Sequence, residues 1–207
     1  MVDCQIRPAN VTKYPIIDSM LFVPRENFVP SSLKELAYVG GHIELADNRV
    51  ILDPRTFAKM LNELDIGSGE TVLDVGSGLG YSAAVIAKLA QAVVALEEIR
   101  ELAEEAKERL LELGIHNSEV VQEHLVQGSA EHGPYDAIVL EGGVEVFPGS
   151  LVEQLKDGGR IACIFVDGSV GECKIGIKQK NSVAWRSSFN AVAPVMPGFG
   201  KREEFLF

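Results

Sequence analysis

The segment that most restricts the fold is an apolar run followed at once by three closely spaced glycines, TVLDVGSGLGY at residues 71–81. A run this short and this poor in polar side chains is typical of a strand buried on both faces. A helix is predicted directly after it, at residues 82–90. In open α/β sheets a strand, glycine loop and helix unit brings backbone N–H groups and the positive end of a helix close to a ligand.

Strands and helices alternate along the rest of the chain. We predict helices at 99–113 and 148–158, and further strands at 92–97, 118–122, 135–141, 160–166, near 173–180 and at 184–194. This alternation predicts a doubly wound α/β fold whose mostly parallel, seven-stranded sheet has an antiparallel extension at the C-terminus.

The first 65 residues read as a helical segment interrupted by prolines. A helix is predicted from Pro15 to Val23, and another from Pro54 to Leu64, because Asp53 followed by Pro54 is a strong helix-start signal. With 207 residues, of which 46% are hydrophobic, residues 1–207 are expected to form a single domain around one core.

Composition narrows the classes of function. Thirty acidic against nineteen basic residues give a net charge of −11, which opposes binding to nucleic acid. Three cysteines without paired spacing predict neither a disulfide framework nor a metal site. Since no stretch approaches the ~20 apolar residues of a membrane span, we expect a cytoplasmic protein without membrane contact.

The glycine loop predicts an adenosine-type ligand. Gly76, Gly78 and Gly80 have the spacing G-x-G-x-G, whereas a dinucleotide loop would place its third glycine at Tyr81. Glu97 ends the next strand 21 residues after Gly76, where a carboxylate can accept hydrogen bonds from both hydroxyls of a ribose. The position of the third glycine favours S-adenosylmethionine over a nicotinamide cofactor.

The loop and its neighbouring residues are also expected to bind the methionine end of this cofactor. The methionine carboxylate is expected against the loop amides around Ser77, and the ammonium and sulfonium beside acids such as Asp74. Gly80 and Tyr81 complete the predicted cofactor-binding loop.

Five segments resemble the protein-L-isoaspartate O-methyltransferase family in order and spacing over nearly the whole chain. They are VPRENFVP (23–30), AY (37–38), VLDVGSGLGY (72–81), PYDAIV (134–139) and VEQLKDGGRI (152–161). The resemblance implies a Rossmann-like, class I methyltransferase fold that uses S-adenosylmethionine. It also implies methyl transfer to the α-carboxyl of isoaspartyl residues in damaged proteins or peptides. On this interpretation residues 1–65 form a substrate or lid segment and residues 66–207 form the donor-binding core.

The chain departs from the family in the segment before Pro54. The family pattern there is roughly G-x-G-Q-T-I-S-Q-P, whereas this chain reads ADNRVILDP at 46–54. Val50 and Leu52 therefore stand where the family has threonine and serine, and together with Asp53 they are the expected substrate-side positions. The loss of both hydroxyls leaves open an acceptor other than an isoaspartyl residue, including a small-molecule carboxylate.

Two further departures lie at strand ends. Glu123 and His124 replace the family's G-D-G run, and either could contact the adenine. Glu141 replaces a threonine at the end of the fourth strand, where it could orient the cation of the donor or act as a base for a neutral nucleophile.

No catalytic residue is assigned, because a carboxylate acceptor is ionised at neutral pH and needs no general base. Four hypotheses stay open: isoaspartyl repair, methyl transfer to another acceptor, donor binding without transfer, and a dehydrogenase. The oligomeric state is open as well.

Overall fold

A computed structural model describes residues 1–201, and its first part combines short helical turns with a small β-hairpin. Helix α1 spans Tyr14–Phe22, and helical turns lie at Val2–Ile6, Arg7–Ala9, Arg25–Phe28 and Ser31–Leu36. Strands β1 (Ile43–Ala46) and β2 (Arg49–Ile51) pair antiparallel across a tight turn. The prediction that this segment is purely helical was therefore wrong at residues 43–51.

Helix α2 spans Pro54–Leu64, as the sequence predicts. Asp53 is its N-cap, and its Oδ1 accepts a hydrogen bond from the backbone N–H of Thr56 at 2.9 Å. Pro54 occupies the first helical position, where no backbone N–H is needed. Only Leu52 and Asp53 separate the end of β2 from the start of α2.

A seven-stranded sheet forms the centre of the molecule, in the order β5-β4-β3-β6-β7-β8-β9. The first five strands in this order are parallel, and β8 and β9 extend the sheet antiparallel from β7. The bounds are β3 Thr71–Val75, β4 Ala92–Glu97, β5 Ser118–Gln122, β6 Tyr135–Val144, β7 Leu155–Asp167, β8 Val170–Gln179 and β9 Ser182–Asn190. The chain runs from β3 to β4 and β5 on one side of the sheet and then crosses to β6 and β7 on the other side of β3. Sheets of this type bind ligands beyond the carboxyl ends of the strands at such a switch point, which here is formed by β3, β4 and β6.

Three helices complete the described part of the chain: α3 (Tyr81–Ala87), α4 (Arg100–Glu112) and α5 (Gly149–Glu153). The helix predicted for 148–158 is shorter than expected, because Leu155 already pairs with Tyr135 as the first residue of β7. β6 continues past its predicted end through Gly142 and Gly143, and the latter pairs with Ile164. Among residues 1–201, no helix is long and apolar enough to cross a membrane.

Candidate functional site

The glycine loop follows β3 directly and is tied to the end of β4. Gly76 and Gly78 have φ values of +85° and +55°, a backbone conformation that side-chain-bearing residues rarely adopt. The N–H groups of Gly76 and Ser77 both donate to the carbonyl of Leu96, at 2.8 and 3.1 Å. The loop is therefore held at the carboxyl end of the sheet, beside the last residue of β4.

Glu97, the last residue of β4, lies next to this loop, as the sequence predicts. Its carboxylate is completely buried and accepts backbone hydrogen bonds from Gly78 at 2.8 Å and Ile99 at 3.0 Å. Both oxygens also accept from Arg49, whose Nη1 and Nη2 lie 2.7 and 2.5 Å away. The acid expected to hold a ribose is thus bound at both oxygens by a cation of the same chain.

Arg49 is the functional-site residue that sequence reasoning missed. It begins β2, and its side chain is as fully buried as that of Glu97. The two residues are 48 positions apart, so no local pattern links them. The available signal was its position: with the family segment anchored at Pro54, Arg49 stands where the family pattern has glutamine.

Two apolar side chains fill the rest of the space over the loop. A methyl group added to Gly78 would meet Leu45 Cδ1, and one added to Gly76 would lie 3.1 Å from both Met196 Sδ and Arg49 Nη2. Met196 is almost fully buried. Residues from the β1–β2 hairpin and from the segment after β9 therefore contact the face of the loop where a ligand would lie.

Two buried carboxylates lie in the same cluster. Burial raises the pKa of Asp74 to about 7, although its Oδ2 accepts a 2.6 Å hydrogen bond from the Ser82 hydroxyl, which opposes the shift. Burial, and next the negative charge of Asp74, raise the pKa of Glu141 well above its usual value. Among the described residues, neither Asp74 Oδ1 nor Glu141 Oε1 has a hydrogen-bond partner. These acids therefore have unmet capacity to bind a cation or a hydrogen-bond donor.

Arg25, from the VPRENFVP segment, closes the cluster from the other side. Its buried guanidinium donates 2.8 Å hydrogen bonds to the carbonyls of Ala37 and Leu52 and lies 4.6 Å from the ring centroid of Tyr81. Burial lowers the pKa of Arg25 and raises that of the Tyr81 hydroxyl. Arg25 thereby fixes the N-terminal segment onto the loop region.

The structure brings together only part of the predicted site. Asp74, Glu141 and Glu97 cluster with the loop residues Gly76, Ser77, Gly78, Gly80 and Tyr81. His124 lies outside this cluster: its side chain is 75% exposed and its Nδ1 is 3.8 Å from Glu98. Glu123, next to it, is exposed as well.

Two of the three positions expected to face the substrate lie in the core of the molecule. Val50 and Leu52 are buried in the main core, with 4% and 1% of their surface exposed. Asp53 caps α2, and its backbone N–H donates to His42 Nδ1 at 2.9 Å. Val50 and Leu52 are thus closed to a peptide in this arrangement, whereas the Asp53 side chain is 17% exposed.

The strand order, the glycine loop at the switch point and the acid ending the next strand define the α/β fold of class I methyltransferases. A model of the family described as protein-L-isoaspartate(D-aspartate) O-methyltransferase matches residues 1–188. The chain belongs to this family.

Individual relatives agree with this placement. Protein-L-isoaspartate O-methyltransferase 2 of Pelobacter propionicus is 36% identical over 161 residues, which cover 78% of this chain and 72% of that protein. The protein-L-isoaspartate O-methyltransferase of Dictyoglomus turgidum is 35% identical over 187 residues, covering 90% and 84%. A solved structure of a protein-L-isoaspartate O-methyltransferase superposes with a TM-score of 0.81 at 25% identity, over 94% of this chain and 64% of that one.

A Plasmodium falciparum structure in complex with S-adenosyl-L-homocysteine has the same fold, with a TM-score of 0.77 at 20% identity over 91% of this chain and 93% of that one. The family thus implies S-adenosylmethionine as the methyl donor. The two buried acids suit the cationic methionine end of that molecule. At the end of the site expected to hold the adenosine, Leu45 lies against Gly78, and both oxygens of Glu97 already accept hydrogen bonds from Arg49.

Proposed function

We propose that this protein transfers a methyl group from S-adenosylmethionine to the α-carboxyl of L-isoaspartyl residues in damaged proteins. The observation that carries the proposal is the family match over residues 1–188. The glycine loop and the acid at the end of β4 support it, since both occupy the positions that the donor requires. Because Arg49 binds both oxygens of Glu97 and Leu45 lies against Gly78, the proposal requires that the β1–β2 hairpin move away from the loop when the donor binds.

The acceptor chemistry suits the side chains at the site. A carboxylate is a nucleophile at neutral pH without a general base. The contribution of the protein would then be to orient the acceptor and exclude water, which requires a closed site. The buried Arg25 and Tyr81 already provide such a wall on the N-terminal side.

The test is methylation of a synthetic peptide that contains one L-isoaspartyl residue, with tritium-labelled S-adenosylmethionine at millimolar concentration. The matched control is the same peptide with an ordinary aspartyl residue. We expect base-labile label, the mark of a methyl ester, on the isoaspartyl peptide alone. Donor binding measured by calorimetry together with no label on either peptide would contradict the proposal.

A second candidate is methyl transfer to a different acceptor. Two observations favour it: Val50 and Leu52 are apolar and buried where the family pattern has hydroxyls, and Glu141 adds a buried acid near the loop. A carboxylate close to a carboxylate acceptor would repel it, whereas it could serve as the base for a neutral hydroxyl or amine. Label on a small molecule of a cell extract, but not on the isoaspartyl peptide, would favour this candidate.

A third candidate is a protein that retains the fold without methyl transfer, and the buried pair of Arg49 with Glu97 favours it. Tight donor binding in calorimetry, with no methyl transfer to the peptide or to a cell extract, would support it, and complete absence of donor binding would contradict all three candidates. For all three candidates we propose a reducing, cytoplasmic setting, because Cys4, Cys163 and Cys173 are all free thiols.

A further inference from the structure

The β1–β2 hairpin, residues 43–51, is the feature that separates this site from an open donor cleft. Arg49 binds the acid that should hold a ribose, and Leu45 lies against Gly78 where a ligand should approach the loop. We propose that this hairpin is an internal plug of the nucleoside subsite, and that S-adenosyl ligands bind only after it swings away, in competition with the Arg49–Glu97 ion pair. The proposal rests on the proposed donor and adds the residues that control its entry.

The competition follows from the hydrogen bonds of Glu97. A ribose would offer its two neutral hydroxyls to the same two oxygens that now accept from the Arg49 guanidinium. The present contact is a bidentate, charge-assisted pair in a fully buried environment, which is a stronger type of hydrogen bond than one from a neutral hydroxyl. A nucleoside therefore replaces the pair only if its other contacts outweigh this difference.

Polar atoms left without partners point to a ligand in the same place. Within the described part of the chain, Arg49 Nε, Asp74 Oδ1, Ser77 Oγ and Glu141 Oε1 are buried and make no hydrogen bond. Buried polar groups in folded proteins are nearly always paired, so several such atoms around one loop are unusual. The plug fills the volume of the nucleoside subsite but leaves the hydrogen-bonding capacity around it unsatisfied.

The hairpin is a separate two-stranded sheet that does not join the central seven-stranded sheet. Its residues Ile43, Val50 and Ile51 are buried in the main core, so opening the hairpin must also expose these side chains. The chain enters the hairpin after Gly40 and Gly41, through His42, whose Nδ1 accepts a 2.9 Å hydrogen bond from the backbone N–H of Asp53. The rigid N-cap of α2 at Asp53 marks the other end.

The experiment is calorimetric binding of S-adenosylhomocysteine to the wild type and to two variants. Arg49→Gln removes the charge but keeps an amide that can donate to Glu97, and Leu45→Ala shortens the plug without disturbing the ion pair. The control is Arg160→Gln, which breaks a similar bidentate pair with Glu70 at the opposite end of the parallel strands, with distances of 2.9 and 2.6 Å. The melting temperature of each variant without ligand shows whether it is folded.

We expect Leu45→Ala and Arg49→Gln each to bind at least tenfold more tightly than the wild type, and Arg160→Gln to bind as the wild type does. The reason is that a closed state lowers apparent affinity by the fraction of molecules that are open. In the wild type, saturating S-adenosylhomocysteine should also increase amide hydrogen exchange within residues 43–51. This second readout does not depend on any variant.

Equal affinity of the wild type and both plug variants, with unchanged exchange in the hairpin, would overturn the plug and leave the proposed methyltransferase standing. No binding by any of the folded proteins would overturn both, because the nucleoside subsite would then be absent. Tighter binding by Leu45→Ala alone would still support the plug if Arg49→Gln proved unfolded.

Discussion

Replacing Arg49 by methionine, which keeps an apolar stem of similar length and removes the guanidinium, is expected to lower the free energy of unfolding by about 3–5 kcal/mol. The magnitude follows from burial. Both side chains of the Arg49–Glu97 pair are fully inaccessible to solvent, so the substitution leaves a buried carboxylate with only two backbone N–H partners. An unpaired charge in that environment costs far more than a lost surface contact.

The double variant Arg49→Met/Glu97→Gln is expected to be more stable than Arg49→Met alone by about 1–3 kcal/mol. The glutamine is neutral and keeps a side-chain oxygen that can accept from Gly78 N–H. Urea unfolding at pH 7 measures these differences. With a slope of about 2 kcal/mol/M, the single substitution should move the midpoint by about 1.5–2.5 M.

The matched control is the Arg186–Glu63 pair, which has the same shortest nitrogen–oxygen distance of 2.5 Å but side chains that are 53% and 28% exposed. Arg186→Met should change stability by no more than about 0.5 kcal/mol, since exposed ion pairs contribute little. The reasoning is refuted if Arg49→Met costs no more than Arg186→Met, or if the double variant is no more stable than Arg49→Met alone.

Three further results are expected. The pKa of Asp74 is about 7 in the folded state and near 4 in the unfolded chain, so ionisation of this residue lowers stability as the pH rises from about 4 to about 7. The slope is up to about 1.4 kcal/mol per pH unit. The melting temperature of Asp74→Asn should therefore change less with pH over this range than that of the wild type, and equal slopes would contradict the shift. Gly78→Ala should lower the free energy of unfolding by about 2–3 kcal/mol in urea, because φ is +55° and the added methyl group would meet Leu45. The control Gly158→Ala, at φ +78° with open space around it, should cost about 1 kcal/mol. Similar costs would mean that Leu45 does not cover the loop. Asp53→Ala should remove the cap of α2 and lower stability by about 1 kcal/mol, and no measurable change in the urea midpoint would contradict that role.

The central sheet could be predicted from the sequence because its strands are continuous apolar runs with glycine or polar residues at their ends. The predicted bounds of β4 and β5 agree with the structure, and so do those of α2, whose start is marked by Asp53 and Pro54. In these elements the local signal and the tertiary environment favour the same conformation, so no distant contact was needed to decide between alternatives.

The hairpin was not predicted, because its strands are only four and three residues long and β2 lacks the alternation that identifies a half-buried strand. Asp47 and Asn48 at its turn carried a signal: Asn48 adopts a φ of +57°, which asparagine tolerates better than most residues. A strand of three residues whose contacts are all with distant parts of the chain has little local pattern from which it could be predicted.

The cofactor loop illustrates a related limit. The position of Glu97 beside Gly78 follows from the parallel order of β3 and β4, and the sequence was sufficient to predict it. The hydrogen-bond partner of the Glu97 carboxylate could not be predicted, because it depends on how a separate segment, the β1–β2 hairpin, folds over the sheet. Sequence reasoning predicted that Glu97 lies beside the glycine loop, and it did not predict that Arg49 binds both oxygens of this acid.

The stability of the Arg49–Glu97 pair and the affinity for the donor both depend on one equilibrium. If the hairpin opens, Glu97 becomes solvated, so the cost of Arg49→Met cannot exceed the free energy that opening requires plus what a solvated Glu97 loses. An opening free energy of about 2.7 kcal/mol would weaken apparent donor affinity about 100-fold, by the same arithmetic that relates populations to binding. A large destabilisation by Arg49→Met therefore demands weak donor binding by the wild type. A large stability cost combined with tight donor binding would mean that the ligand enters without displacing the hairpin, which the packing of Leu45 over Gly78 does not allow.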